Sequence, residues 1–390
     1  MTSRADSAME RESRNDAATA GVDPGPWLRL LHTPGLGPRR IQRLLEAFGS
    51  PQAALTASAH QWKTADVGVA PPENPDDEHP GVAADLAWER ADQRHRILCR
   101  DDPDYPPLLT QLPDPPPVLF LNGDPALLTA PQVAIIGSRD ATPQGLKLAH
   151  EFARELASAG VTITSGLARG IDGAAHQGAL DAPQGRTTAV VATGPDRIYP
   201  AAHRRLGHRI ADHGLIVSLW PTGTQAQAGH FPQRNRVISG LALATLVVEA
   251  GDNSGSLITA RLAGEQGRQV YAVPGSVFSP VSRGCHRLIR EGAQLVETAG
   301  EILDDLADWL GVPPAPQAPG PAPAEPVDPE HEKVLQAMGF DPVDMETLRS
   351  RTQLTIDTLS SILVLLELNG RVAALDHGRY QRLDAGSPES

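Results

Sequence analysis

Between residues 133 and 298 the chain alternates short apolar runs with segments of helical length, and this alternation narrows the possible folds more than any other feature. The runs fall at 133–136, 161–164, 188–192, 215–219, 245–249, 270–273 and 294–296. Runs of this length without polar alternation fit strands buried on both faces, and intervening helices make consecutive strands parallel. The pattern therefore predicts an α/β domain with a mostly parallel sheet and helices on both faces. In such sheets ligands sit beyond the carboxyl ends of the strands, so the residues that follow each run are where function is expected.

The first run ends in "GSRDATPQG", with Gly137 followed by Ser138 and Arg139 where a dinucleotide loop would carry further glycines. A helix opening near Pro143 is expected to aim free amides at an anion, with Arg139 adding a forked donor and Ser138 a hydroxyl. The second run leads into "TSGLARGIDGAAH", which places Ser165 and Gly166 at a strand end, Arg169 at the same edge and Gly170 in a tight turn. Asp172 and His176, four residues apart on one helix face, read either as an acid/base or metal pair or as a helix cap and a polar rim residue; the second reading is preferred. Further on, "HFPQRNR" gathers Phe231, Arg234, Asn235 and Arg236 at a helix start expected to face the crevice. "DNSGSLITA" then sets Ser254, Gly255 and Ser256 at another strand-to-helix turn. An aromatic ring for stacking beside guanidinium groups and amides for phosphate supplies the two forces of single-strand recognition.

Charge is compatible with an anionic ligand at the centre, in a pattern that inert proteins also show. The whole chain carries a formal net charge of −13, yet residues 133–298 carry +4, between −7 for residues 1–132 and −10 for residues 299–390. Cys99 and Cys285 are far apart and lack the spacing of a metal knuckle or redox pair, so both are expected reduced. No metal, cofactor or catalytic set is expected. No apolar run approaches the roughly 20 residues that span a bilayer, and the amino-terminal stretch lacks the apolar region of a signal peptide, so a cytoplasmic protein with no membrane partner is expected.

The flanks divide into smaller units. Residues 1–24 read as a disordered lead, 25–100 as a helical domain, 105–310 as the α/β domain, 311–330 as a Pro/Ala linker and 331–385 as a second small domain. In the helical domain the turn Gly35-Leu36-Gly37, with Arg39 and Arg40 behind it, resembles a helix-hairpin-helix that could meet a phosphate backbone; a plain helical packing module is the preferred reading. Residues 65–85 and 101–117 read as proline-rich loops before an extended piece at 118–122. The last domain resembles a winged helix, with its strands around the turn Asp376-His377-Gly378. Its recognition position presents Asp357, Ser360 and Ser361, which favours a protein contact over DNA.

Taken in order, "GSR", "SGLARGID.AAH", "GPDRIYP", "FPQRNRVISGL", "VVEA...SGSLITA..A...GR.VYAVPG" and "S.GC..LI..GA" resemble the DNA-processing protein A family (DprA, Smf). The resemblance implies an extended Rossmann-like core flanked by a small N-terminal helical domain and a C-terminal winged-helix-like domain. It further implies a homodimer that binds and protects incoming single-stranded DNA and loads the RecA recombinase on it in natural transformation. Arg139, Arg169, Phe231, Arg234, Asn235 and Arg236 carry over as DNA-binding residues. The chain departs from the family at His203, Leu219 and His286, where Asn, Glu and Asn are usual. A second resemblance, to LOG-type nucleotide phosphoribohydrolases, lacks their PGGxGTxxE loop and leaves Glu249 as the one placed carboxylate.

Overall fold

The computed structural model describes residues 22–72, 79–310, 328–375 and 378–383. Most of the expected polar lead, most of the Pro/Ala linker, and Asp376 and His377 of the last turn lie outside them. The described residues hold a nine-stranded sheet in the order β1-β2-β6-β5-β4-β3-β7-β8-β9 and a separate three-stranded sheet.

In the large sheet β3 (Gln132–Ile136), β4 (Thr162–Ser165), β5 (Thr187–Val191), β6 (Leu215–Ser218), β7 (Ala244–Val247), β8 (Gln269–Ala272) and β9 (Gln294–Leu295) are parallel, as the alternation predicts. Strand β3 shows why these runs lack polar residues: Val133 and Ile135 join one core, Ala134 and Ile136 the other. The first core is closed by Phe152 and Leu156 of α7 (Pro143–Ser158), Ile171 and Ala175 of α8 (Ile171–Asp181), and Ile302 of α13 (Ala299–Asp305). The opposite core is closed by Val237 and Leu241 of α10 (His230–Leu241), Leu257 of α11 (Gly255–Glu265), and Cys285 of α12 (Arg283–Arg290). Helices therefore cover both faces. The chain leaves β3 in one direction toward β4 and returns on its other side as β7, which opens a crevice at the carboxyl edge between them.

The boundary expected near residue 100 falls differently. Residues His95–Cys99 form β1, which pairs antiparallel with β2 (Val118–Gly123), itself antiparallel to β6. The helices α1 (Pro24–Leu31), α2 (Pro38–Phe48), α3 (Pro51–Thr56) and α4 (Ala59–Thr64) pack on these two strands through Trp27, Leu44, Trp62, Ile97 and Phe120. The end of the expected helical domain is thus part of the sheet. Part of the expected proline-rich loop is helical: α5 (Pro80–Ala91) begins with proline in its first turn, where the missing N–H costs nothing. Its Asp85 is fully buried, bonded to His32 Nε2 at 2.8 Å and to the amide of Thr222 at 2.9 Å. A one-turn helix, α6 (Pro107–Thr110), also interrupts the second loop. A short α14 (Ala307–Leu310) follows α13.

The carboxyl-terminal unit consists of α15 (Pro329–Met338), β10 (Val343–Asp344), α16 (Met345–Thr352), α17 (Ile356–Leu368), β11 (Val372–Leu375) and β12 (Arg379–Arg382), with its own core around Leu335, Leu348 and Leu363. The three helices and the β11–β12 pair are those of a winged helix. No helix among the described residues is long and apolar enough to cross a membrane.

Candidate functional site

Above the carboxyl ends of β3, β4 and β7 the crevice has two compartments. The larger, about 600 Å³, is bordered by Ser138, Asp172, Asn235, Ser254, Gly255 and Ser256. The smaller, about 80 Å³, is bordered by Gly166, Arg169, Tyr199 and Phe231. Arg139 and Arg234 border both.

The smaller compartment is an aromatic slot rimmed by cations. Phe231, at the start of α10, meets Tyr199 edge-on with ring centroids 6.0 Å apart. The Arg139 guanidinium carbon lies 5.2 Å from the centre of the Phe231 ring, and that of Arg234 lies 6.0 Å away. Tyr199 is 53% exposed, so a further ring can stack there. Arg139 and Arg169 are exposed, and among the described residues neither has an ion-pair partner. An Arg held against an aromatic face keeps its outer N–H donors free for an anion.

Arg234 is built into the wall instead. It is only 4% exposed; Nη2 donates to the Gly166 carbonyl at 2.8 Å and Nη1 to Asn235 Oδ1 at 3.1 Å. Burial pushes its pKa down to about 10, partly offset by Asp172, so it stays charged at neutral pH. The close approach explains Gly166: any Cβ there would overlap the guanidinium. Gly170, with φ of +76° beside the Ser138 carbonyl, is the other glycine that the turn requires.

Several expected phosphate seats are occupied by the chain itself. The first turn of α7 does not present free amides to an anion: the Glu249 carboxylate fills it, accepting from the Thr142 amide at 2.9 Å and the Thr142 hydroxyl at 2.6 Å. Desolvation holds the Glu249 carboxyl above its ordinary pKa, against the pull of the Thr142 bonds. The Ser138 amide donates to the Glu249 carbonyl at 2.7 Å, and the Ser165 hydroxyl donates to the Ile135 carbonyl at 2.6 Å. Asp172 is not the cap of α8; it turns back to accept from the Gly166 and Ala168 amides at 3.2 and 3.3 Å, so the Gly166 amide is spent as well. His176 is fully buried, accepting from the Leu167 amide at Nε2 and donating from Nδ1 to Thr187, whose hydroxyl is anchored on the Ile163 carbonyl. Desolvation drops its pKa to about 3, so it is neutral, and both its ring nitrogens are engaged inside the fold.

Arg236 also departs from expectation. It points away from the crevice and binds the Asp114 carboxylate and carbonyl, and Asp114 also holds Arg39 at 3.3 Å. Two residues apart on a helix, Arg234 and Arg236 cannot share a face, a signal present in the sequence. Arg40 is exposed, its Nη1 donating to the Gly35 carbonyl at 2.6 Å. At the family departures, His203 Nδ1 lies 3.0 Å from the Leu167 carbonyl and His286 Nε2 3.0 Å from that of Gly275. Sequence reasoning missed Tyr199, whose contact with Phe231 spans 32 residues of chain and leaves no periodic trace.

Of the phosphate seats, the start of α11 has no carboxylate over it, while its Leu257 amide is spent on the Ser254 carbonyl at 3.1 Å. Ser254 caps it by accepting from the Ser256 amide at 3.3 Å, and a Cβ at Gly255 would meet nothing within 4 Å.

Comparison with known proteins follows the three-part organisation. Residues 96–307 match the family described as DNA recombination-mediator protein A, residues 24–76 a DprA-like N-terminal HHH domain, and residues 316–378 a DprA winged helix domain. Protein Smf of Synechocystis is 33% identical over 93% of this chain and the whole of the relative. Protein Smf of Escherichia coli is 39% identical over 77% of this chain and 81% of the relative. Among solved structures, DNA processing protein A of Streptococcus pneumoniae superposes with a TM-score of 0.61 at 36% identity, covering 72% of this chain and 96% of that one. DNA processing protein A of Helicobacter pylori, whose structure concerned a single-stranded DNA binding mode, gives a TM-score of 0.50 at 31% identity over 55% of this chain and 96% of its own.

Proposed function

This chain belongs to the DNA-processing protein A (DprA, Smf) family, and we propose that it binds single-stranded DNA in the slot between Phe231, Tyr199, Arg139 and Arg169. The observation that carries this reading is the pairing of two exposed, unpaired arginines with a half-open aromatic pair on one sheet edge. A base stacks on the rings while the guanidinium groups hold flanking phosphates, a mode that tolerates any sequence because every base has a π face. Duplex DNA keeps its bases inside and offers nothing to stack. The single-strand binding of the Helicobacter relative supports the same assignment.

The strand so held is passed to a RecA-type recombinase in natural transformation, a role in keeping with the recombination-mediator family, and the protein acts as a homodimer. It works by binding and not by turnover. Glu249, the carboxylate that a phosphoribohydrolase would need, is committed to the start of α7 and does not border either compartment.

The test is titration of the full chain with labelled single-stranded and duplex oligonucleotides. Single strands bind tighter, and Phe231→Ala weakens them by about 1–3 kcal/mol, the worth of one stacked base. Equal affinity for duplex, or a Phe231→Ala variant that binds like the parent, overturns the assignment.

A further inference from the structure

A buried carboxylate outside both compartments joins the amino-terminal helices to the supports of the strand slot. Asp85 of α5 is fully buried, and both its oxygens are engaged by groups far apart in the chain. Oδ2 accepts from His32 Nε2, just past the end of α1, at 2.8 Å. Oδ1 accepts from the amide and the hydroxyl of Thr222 at 2.9 and 2.8 Å. The first turn of α5 lies so close to the His32 ring that a Cβ at Gly81 would overlap it, which fixes the imidazole against the helix. A buried carboxylate with three donors holds its partners firmly, because a donor that lets go finds no water to replace it.

Thr222 belongs to the turn 219–224 that follows β6, and this turn touches the supports of both slot rings. On one side Trp220 stacks on His230, with ring centroids 4.3 Å apart and planes 21° from parallel, and His230 is the residue before Phe231. The same imidazole donates from Nδ1 to the Ala192 carbonyl at 3.1 Å. On the other side the Gly223 amide donates to Asp196 Oδ1 at 2.8 Å and the Gly194 amide to the Thr224 carbonyl at 2.9 Å, within the segment that leads to Tyr199. A Cβ at Gly194 would meet the Pro221 carbonyl at 2.5 Å, so the two segments pack backbone to backbone. Asp85, Trp220 and Thr222 do not border the aromatic slot, so they act on a base held there through Phe231 and Tyr199. We propose that Asp85 is a positioning residue for single-strand binding: it clamps the 219–224 turn, and the turn sets the separation and tilt of Phe231 and Tyr199. The amino-terminal helical unit thus acts on the strand without lining the slot. This inference rests on the reading of the slot as the strand site.

The experiment titrates the full chain with a labelled single-stranded oligonucleotide, each variant first shown to be folded by circular dichroism at the temperature of measurement. Asp85→Ala weakens strand binding about three- to tenfold, within the range of coupling through contiguous packed groups. Asp85→Asn keeps a carbonyl oxygen for Thr222 and restores affinity to within about twofold of the parent. The salt slope stays that of the parent in both variants, since no phosphate contact is lost. A double-mutant cycle separates positioning from a general loosening of the fold. In a Phe231→Ala, Tyr199→Ala background the effect of Asp85→Ala disappears if it acts through the rings, whereas general loosening persists there. Where Asp85→Ala does not fold, half-buried Trp220 carries the test. Trp220→Ala then lowers affinity by the same factor, Trp220→Phe restores it, and the loss vanishes in the same background. A folded Asp85→Ala that binds like the parent, an Asn variant as weak as the Ala variant, or a loss that persists without the two rings overturns the proposal. If removal of the two rings alone leaves binding untouched, the slot reading fails and this inference with it; weakened ring variants beside an unaffected Asp85→Ala strike this inference alone.

Discussion

Two helix starts on one sheet edge, those of α7 and α11, follow the same local grammar and end in different states. Each follows a parallel strand, and each is capped by a hydroxyl, Thr142 for α7 and Ser254 for α11. At α7 a carboxylate from the end of the neighbouring strand, Glu249, sits on the cap in the place an anion would take. Above α11 the space stays open. A helix start after a strand is therefore a potential anion site, and whether it serves a ligand depends on the carboxylates that the rest of the fold brings to it. The α8 start is closed the same way, by Asp172 folding back on the loop amides.

The largest effect expected from this contrast is on stability. Glu249→Ala leaves the Thr142 amide without its acceptor at a half-buried site and costs about 3 kcal/mol in urea-induced unfolding, the upper end for losing hydrogen bonds to a charged group. A loss within experimental error would mean that the α7 start is not filled in the way described.

An effect smaller per pH unit comes from the closed α8 region. The folded state holds the His176 pKa near 3, below its ordinary 6.5, so on acidification the unfolded chain takes up a proton that the folded chain refuses. The contribution of His176 is fully present above pH 6.5 and is lost as pH falls toward about 3, at up to about 1.4 kcal/mol per pH unit. Subtracting the stability profile of His176→Gln from that of the parent isolates this slope. A flat difference between pH 6.5 and 4 would place His176 in a wetter site than the one seen.

The smallest effect separates the two arginines of α10. Arg236→Ala removes a partner of Asp114 and costs about 1 kcal/mol of stability, as partly exposed ion pairs do. Strand affinity under that change stays within about twofold, since the pair faces away from the slot. A large loss of affinity would return Arg236 to the interface.

The parallel strands were legible because burial on both faces demands continuous apolar runs, and all seven runs became strands within a residue or two of their expected ends. Strand β1 was not, because its sequence "HRILC" is short, begins with two basic residues and directly follows a helix. At the site, residue types were legible and directions were not. Nothing local in "HFPQRNR" says that Arg234 is drawn inward to the Gly166 carbonyl, a partner 68 residues away, while the helical period alone separates Arg236 from it. Glu249 was visible as a carboxylate at a strand end, but its capping of α7 depends on a β3–β7 pairing that only the folded sheet creates.

The central claim is that exposed Arg139 and Arg169 hold phosphates of a single strand beside Phe231, and the salt dependence of binding tests it most directly. For single strands the logarithm of the binding constant falls with the logarithm of salt by about 0.7 per phosphate neutralised, so Arg139→Ala combined with Arg169→Ala flattens the slope by about 1.4. A doubly substituted protein that binds single strands with the slope and affinity of the parent would contradict the account and move the strand to another surface.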